Sequence, residues 1–180
     1  MAIPHVKKGA GGVICSVAAI ISIVLSSGNV RTNKEGLELI GNAEGCRRNP
    51  YVCPAGVLTD GLGNTHDVVP GTTKTDMQIA EDWEKNILSA ERCVDQFANG
   101  KHLPSDIFSA AVSLTFRVGC GTVKKSTLFS FLRTSPLFYK AACNQFPRWI
   151  YANKVILNGL VIRADEEKNL CMKGVPEYDQ

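Results

Sequence analysis

Three side chains able to cleave a bond lie close together near the front of this 180-residue chain: Glu44, Cys53 nine residues later, and Thr59 six after that. A carboxylic acid can deliver a proton, a thiolate can act as base or nucleophile, and a hydroxyl can orient a water. Together they suit a hydrolysis in which one group protonates a leaving oxygen while another works from the opposite side. A thiol tied up in a disulfide can do neither, so Cys53 must be reduced when it acts. The histidines His5, His66 and His102 are scattered and read as surface or loop residues. No metal spacing is present, and no metal or other cofactor is expected.

The elements around these residues bring them together. Leu37, Ile40 and Glu44 recur at helical spacing, which predicts a short helix over 37–44 that stops at Gly45. Tyr51-Val-Cys and Val57-Leu-Thr are extended runs flanking Pro54-Ala-Gly56, a hairpin signal. Cys53 and Thr59 are equidistant from Gly56, so they are expected opposite each other. A further turn at Asp60-Gly61 or Gly63-Asn64 returns the sheet towards the helix that bears Glu44.

Further along, Thr75-Asp-Met-Gln78 is a capping box, and Ile79, Trp83, Ile87, Ala90, Val94 and Phe97 form one apolar stripe. That predicts the longest helix, about 75–99. Pro104-Ser-Asp opens another helix, which Gly119 stops. Ser135-Pro136 starts one running to Phe146, and Gly159 to Gly174 bracket the last. The fold class is α+β, mostly helical, with one small antiparallel sheet.

The pattern E-x8-C-x5-T resembles the phage-type lysozymes of glycoside hydrolase family 24, given glycine after the acid, Tyr51 two before Cys53, and G-x-G after Thr59. Phe116-Arg-Val-Gly-Cys-Gly121, Arg148-Trp-Ile-Tyr-Ala152 and Gly159-Leu-Val-Ile-Arg163 extend the likeness over roughly 36–174. Cysteine at the middle position, with a long uncharged N-terminus, resembles the signal-anchor-release (SAR) endolysins within that family. The resemblance implies a two-lobed domain: a small lobe at about 36–74, a connecting helix, and a helical lobe at about 100–174. It also implies hydrolysis of the β-1,4 bond between N-acetylmuramic acid and N-acetylglucosamine in peptidoglycan, causing host lysis. Glu44 is then the proton donor, Cys53 stands in for the usual aspartate, and Thr59 positions water. A donor must hold its proton at working pH, which a closed apolar cleft favours. Tyr51, Asn64, Arg117 and Gly119 are the substrate-cleft candidates. Asn64 and Arg117 depart from the family's usual histidine and asparagine or glutamine.

Gly9 to Val30 are 22 residues without charge, about 33 Å as a helix and long enough for a bilayer core of about 30 Å. Since 12 of the 22 are Gly, Ala, Ser or Cys, the anchor is only marginally apolar and is expected to leave the membrane. Residues 1–31 therefore form the anchor and 32–180 the catalytic domain, with Lys7 and Lys8 on the cytoplasmic side and the domain in the periplasm. An Ala-x-Ala cleavage site, the mark of a removed signal peptide, is missing near Ser26. Net charge is +3, mildly favourable for an anionic wall and far too small for nucleic acid. A monomer is expected.

Seven cysteines favour an oxidising compartment and leave one thiol over. Cys15, Cys46 and Cys53 can make only one bridge among them, and Cys15 is out of reach while it lies in a bilayer. A Cys46–Cys53 bridge is thus expected in the tethered protein, and Cys15–Cys46 after release. Cys93, Cys120, Cys143 and Cys171 allow three pairings. Two other function classes remain: a cysteine hydrolase using Cys53 with His66, which leaves Glu44 idle, and a membrane-anchored, disulfide-stapled binding protein without catalysis.

Overall fold

The computed structural model describes residues 15–53, 56–152 and 154–177. Helix α1 spans Val17–Ser27, capped by the Ser16 hydroxyl, which accepts from the Ala19 N–H. Lys34–Glu44 form α2, three residues longer at its start than expected because Asn33 caps it by accepting from the Gly36 N–H at 2.9 Å. Strands β1 (Arg47–Val52) and β2 (Leu58–Gly61) pair as an antiparallel hairpin. The 22-residue α3 (Asp76–Phe97) begins at the expected capping box, with both Thr75–Gln78 hydrogen bonds formed.

The helical lobe follows as α4 (Ser105–Val118), α5 (Cys120–Val123), α6 (Thr127–Thr134), α7 (Tyr139–Cys143) and α8 (Asn158–Lys173). Helix α6 was not anticipated, although Ser126, whose hydroxyl caps the Phe129 N–H, is a legible start signal. The single helix expected from Ser135 to Phe146 is instead three pieces, a 3-10 turn at Pro136–Phe138, then α7, then a 3-10 turn at Phe146–Arg148. Pro147 accounts for the break after α7, since it has no N–H to donate to the Cys143 carbonyl. A second two-stranded ladder, β3 (Tyr151–Ala152) with β4 (Val155–Ile156), adds to the one sheet expected.

The core is built on α4, whose Ile107, Phe108, Ala111, Val112 and Leu114 are fully buried, along with Trp83 of α3, Phe129 of α6 and Phe146. Cys93–Cys120 and Cys143–Cys171 choose one of the three open pairings, tying α3 to α5 and α7 to α8.

The N-terminal segment differs from a free-standing anchor. Helix α1 buries Ile20, Ile21 and Val24 against the domain, and Gly41 of α2 lets it approach so closely that a Cβ there would lie 2.8 Å from Val17 Cγ1. The expected boundary at residue 31 is a tight junction. Glu84 of α3 accepts from Ser27 Oγ at 2.5 Å and Asn29 Nδ2 at 2.9 Å, and Glu91 accepts from the N–H groups of Arg31 and Thr32. No helix among the described residues is long and apolar enough to cross a membrane. Residues 9–14 of the expected span lie outside the described residues.

Candidate active site

Glu44 is the last residue of α2, and the chain turns at Gly45 directly into the hairpin. Its carboxylate lies against the loop after β2, where a Cβ on Gly63 would come within 2.8 Å of Glu44 Oε2. A side chain there would push the acid aside, and the left-handed φ of +71° favours glycine as well. The expected apolar enclosure is absent. Glu44 keeps 28% of its side chain exposed and meets Arg163 Nη1 of α8 at 3.4 Å.

The hairpin corrects one expectation. Tyr51, not Cys53, stands opposite Thr59, and the Cys53 N–H bonds to the Val57 carbonyl at 2.9 Å. The Gly56 N–H donates to the Cys53 carbonyl at 2.8 Å and Gly56 is left-handed at φ +79°, so the bend is centred one residue earlier than assumed. A three-residue loop closed by a left-handed glycine has this geometry. Tyr51 and Thr59 therefore share a face, and Cys53, two residues beyond Tyr51, continues it diagonally from Thr59.

Tyr51 reports the charges around it. Its phenol is pushed above the ordinary value by burial first, and also by the charges of Glu44 and Cys53, against the opposing effect of Arg47. Arg47 stacks on its ring with the guanidinium carbon 4.2 Å from the centroid. The acid, the thiol and the phenol thus sit within electrostatic reach of one another. Cys53 lies outside the three disulfides, because Cys46 is bridged to Cys15. Thr59 is 3% exposed, and its hydroxyl donates to the Val57 carbonyl at 3.0 Å, leaving its lone pairs to accept.

Behind Thr59 the loop is held by charge. Asp60 is wholly buried and meets Lys74 Nζ at 2.7 Å, while Lys74 also meets Asp82 of α3 at 2.8 Å. Burial alone would lower the Lys74 ammonium, but its hydrogen bonds to the two carboxylates win and raise it above its ordinary value. Asn64 belongs to this framework. At 3% exposed, its amide donates to Asp60 Oδ1 and to the His66 carbonyl, so the expectation of substrate contact is corrected to a loop-holding role.

Next to Gly63 a depression of about 290 Å³ is lined by Thr65, His66, Asn86, Phe116 and Gly119. Arg117 points away from it. Its guanidinium donates to the Trp149 carbonyl at 2.8 Å and pairs with Glu167 at 2.9 Å, which corrects its assignment as a cleft residue. The sequence reading also missed the site role of Arg163, whose signal was its place in the Gly159–Arg163 match. Among the described residues no cluster could hold a metal.

The phage lysozyme family model matches residues 41–167. The chain belongs to the phage lysozyme family. The SAR-endolysin of Escherichia phage P1 is 52% identical over 176 residues, covering 92% of this chain and 94% of that protein. A crystal structure of the active form of P1 phage endolysin Lyz superimposes with a TM-score of 0.87 at 48% identity, covering 94% of this chain and all of that one. A crystal structure of its secreted inactive form reaches 0.57 at 46% identity, covering 82% of this chain and 99% of that one. Membership makes the chain a lysozyme-type glycoside hydrolase.

Proposed function

We propose that this phage endolysin cleaves the muramic acid–glucosamine bond of peptidoglycan with Glu44 as proton donor, Cys53 as the group on the opposite side of the sugar, and Thr59 as the water-positioning hydroxyl. The observation that carries the reading is the contact of Glu44, at the end of α2, with Gly63, which lines the depression, while Tyr51 of the hairpin lies within electrostatic reach of both Glu44 and Cys53. Glu44 protonates the departing glycosidic oxygen. The Cys53 thiolate either takes a proton from water that donates to Thr59 Oγ1, releasing the inverted anomer, or attacks the anomeric carbon itself to form a covalent glycosyl–sulfur bond, which water, deprotonated by the Glu44 carboxylate, then displaces to release the retained anomer and the thiolate. Tyr51 and Gly119 border the sugar path. The enzyme acts as a monomer.

The activity is timed by thiol exchange. In the inner membrane, with residues 9–30 in the bilayer and the domain in the periplasm, Cys46 is bridged to Cys53 and the enzyme is silent. On release, the Cys15 thiolate attacks Cys46 Sγ, the Cys15–Cys46 bond forms, and Cys53 departs as thiolate, so no oxidant is consumed. Supporting this are the Cys15–Cys46 bridge, the docked α1, and the greater likeness to a structure described as an active form than to one described as inactive.

The test is Glu44→Gln, which keeps the shape and removes the proton. Clearing of permeabilised cells should fall below about one part in a hundred, the usual weight of general acid catalysis. Near wild-type clearing removes the assignment, and clearing that depends on His66 instead favours the cysteine hydrolase.

A further inference from the structure

We propose that Glu167 and Arg117 are positioning residues for the reaction, offsetting the charge of Arg163 so that this guanidinium orients Glu44 without locking it in the ionised form. The inference rests on the reading of Glu44 as proton donor. An arginine facing a catalytic acid is a chemical problem, since positive charge favours the carboxylate, whereas a donor must carry its proton. The structure holds the answer on the far side of Arg163. Glu167, one turn further along α8 and 0% exposed, meets Arg163 Nε at 3.4 Å, the same distance at which Glu44 meets Nη1. Both separations exceed the roughly 2.7–2.9 Å of a committed charge-assisted hydrogen bond. Arg163 is therefore shared between two carboxylates.

Glu167 is itself anchored. It accepts from Ser113 Oγ at 2.8 Å and from Arg117 Nη2 at 2.9 Å, both on α4. Arg117 is fixed in turn by the Trp149 carbonyl. The four charges alternate along the chain of contacts, Glu44, Arg163, Glu167, Arg117, and cancel when Glu44 is ionised. With Glu44 protonated the cluster carries one surplus positive charge, which Glu167 holds close to both guanidinium groups. The other groups reaching Glu44 are Tyr51 and Cys53 of the hairpin, with Arg47 stacked on Tyr51, while the adjoining loop presents Gly63 and carries His66 into the depression. None of these touches Arg163 among the described contacts, and Glu38 and Glu166, which line the same groove as Arg163, make no described ion pair with it, so the balance on that side falls to Glu167 and Arg117.

The experiment measures the pH optimum of peptidoglycan hydrolysis for the full chain, Glu167→Gln, Arg117→Gln and the double variant, with Glu44→Gln alongside. Each profile is normalised to its own maximum, so loss of folded protein does not move it. Glu167→Gln leaves surplus positive charge and should shift the optimum down. Arg117→Gln leaves surplus negative charge and should shift it up, each by about one pH unit or more, the scale of a unit charge within about 10 Å at an effective dielectric of about 20. The double variant is again neutral and should return towards the wild-type optimum with more activity than the Glu167→Gln variant. A purely structural role predicts unmoved optima and additive losses. Shifts in the same direction, or none, with Glu44→Gln inactive, overturn the proposal alone. An active Glu44→Gln removes the donor assignment beneath it.

Discussion

At the scale of single residues, the proposed site is unusual in setting sulfur where a carboxylate would serve. A thiolate is a strong nucleophile and a competent base, but it can be silenced reversibly by a disulfide, which an aspartate cannot. Neighbouring Tyr51, held neutral by burial and by the charges of Glu44 and Cys53, adds no further negative charge beside the pair. If Cys53 works as proposed, alkylation of the active enzyme should abolish clearing. Cys53→Asp should hydrolyse peptidoglycan and no longer respond to alkylating agents. Undiminished clearing by alkylated wild type, with modification of Cys53 verified by mass, makes the thiol a spectator.

At the scale of elements, the hairpin depends on one buried tie to α3. Asp60 follows Thr59 directly and is wholly buried, and its cationic partner Lys74 reaches Asp82 on the long helix. Lys74→Met leaves the Asp60 carboxylate without its counter-charge, a change that typically costs about 3–5 kcal/mol. Thermal unfolding should show this as a clear drop in Tm, with activity falling alongside as Thr59 and Gly63 lose their support. The sign of the pH dependence follows from the raised Lys74. A group raised in the folded state stabilises fully below its unfolded value, so the Lys74 contribution is complete at neutral pH and on the alkaline side is lost above about pH 10.5. A Lys74→Met variant as stable as wild type would show that the tie contributes nothing.

At the scale of the whole molecule, the proposed switch gives one segment two incompatible homes. Helix α1 fills part of the core through Ile20, Ile21 and Val24, and its end is clamped by Glu84 through Ser27 and Asn29, contacts it cannot make from within a bilayer. The proposed switch predicts opposite outcomes for its two sulfurs. Cys15→Ser should be exported but fail to lyse after membrane depolarisation, because Cys53 stays bridged to Cys46. Cys46→Ser cannot mask Cys53 and should act before release. Lysis by Cys15→Ser at the wild-type rate sinks the switch and leaves the glycosidase chemistry untouched.

Local order is what the amino-acid sequence by itself determined. The Thr75 capping box, the apolar stripe of α3, the stops at Gly45 and Gly119, and the spacing of Glu44, Cys53 and Thr59 all act within a few residues, through backbone hydrogen bonds and side-chain periodicity. Long-range decisions belonged to the tertiary structure. The hairpin centre shifted by one residue because a hydrogen-bonded three-residue loop outweighs simple symmetry about Gly56. Pairing of the four lobe cysteines required the helices to be packed first. Arg117 and Asn64 read as cleft residues in the sequence, yet burial obliged each to satisfy its polar atoms inside the protein, on Glu167 and Trp149 in one case and on Asp60 and His66 in the other. Arg163 reaches Glu44 across 119 residues of sequence, a distance over which no local pattern carries information.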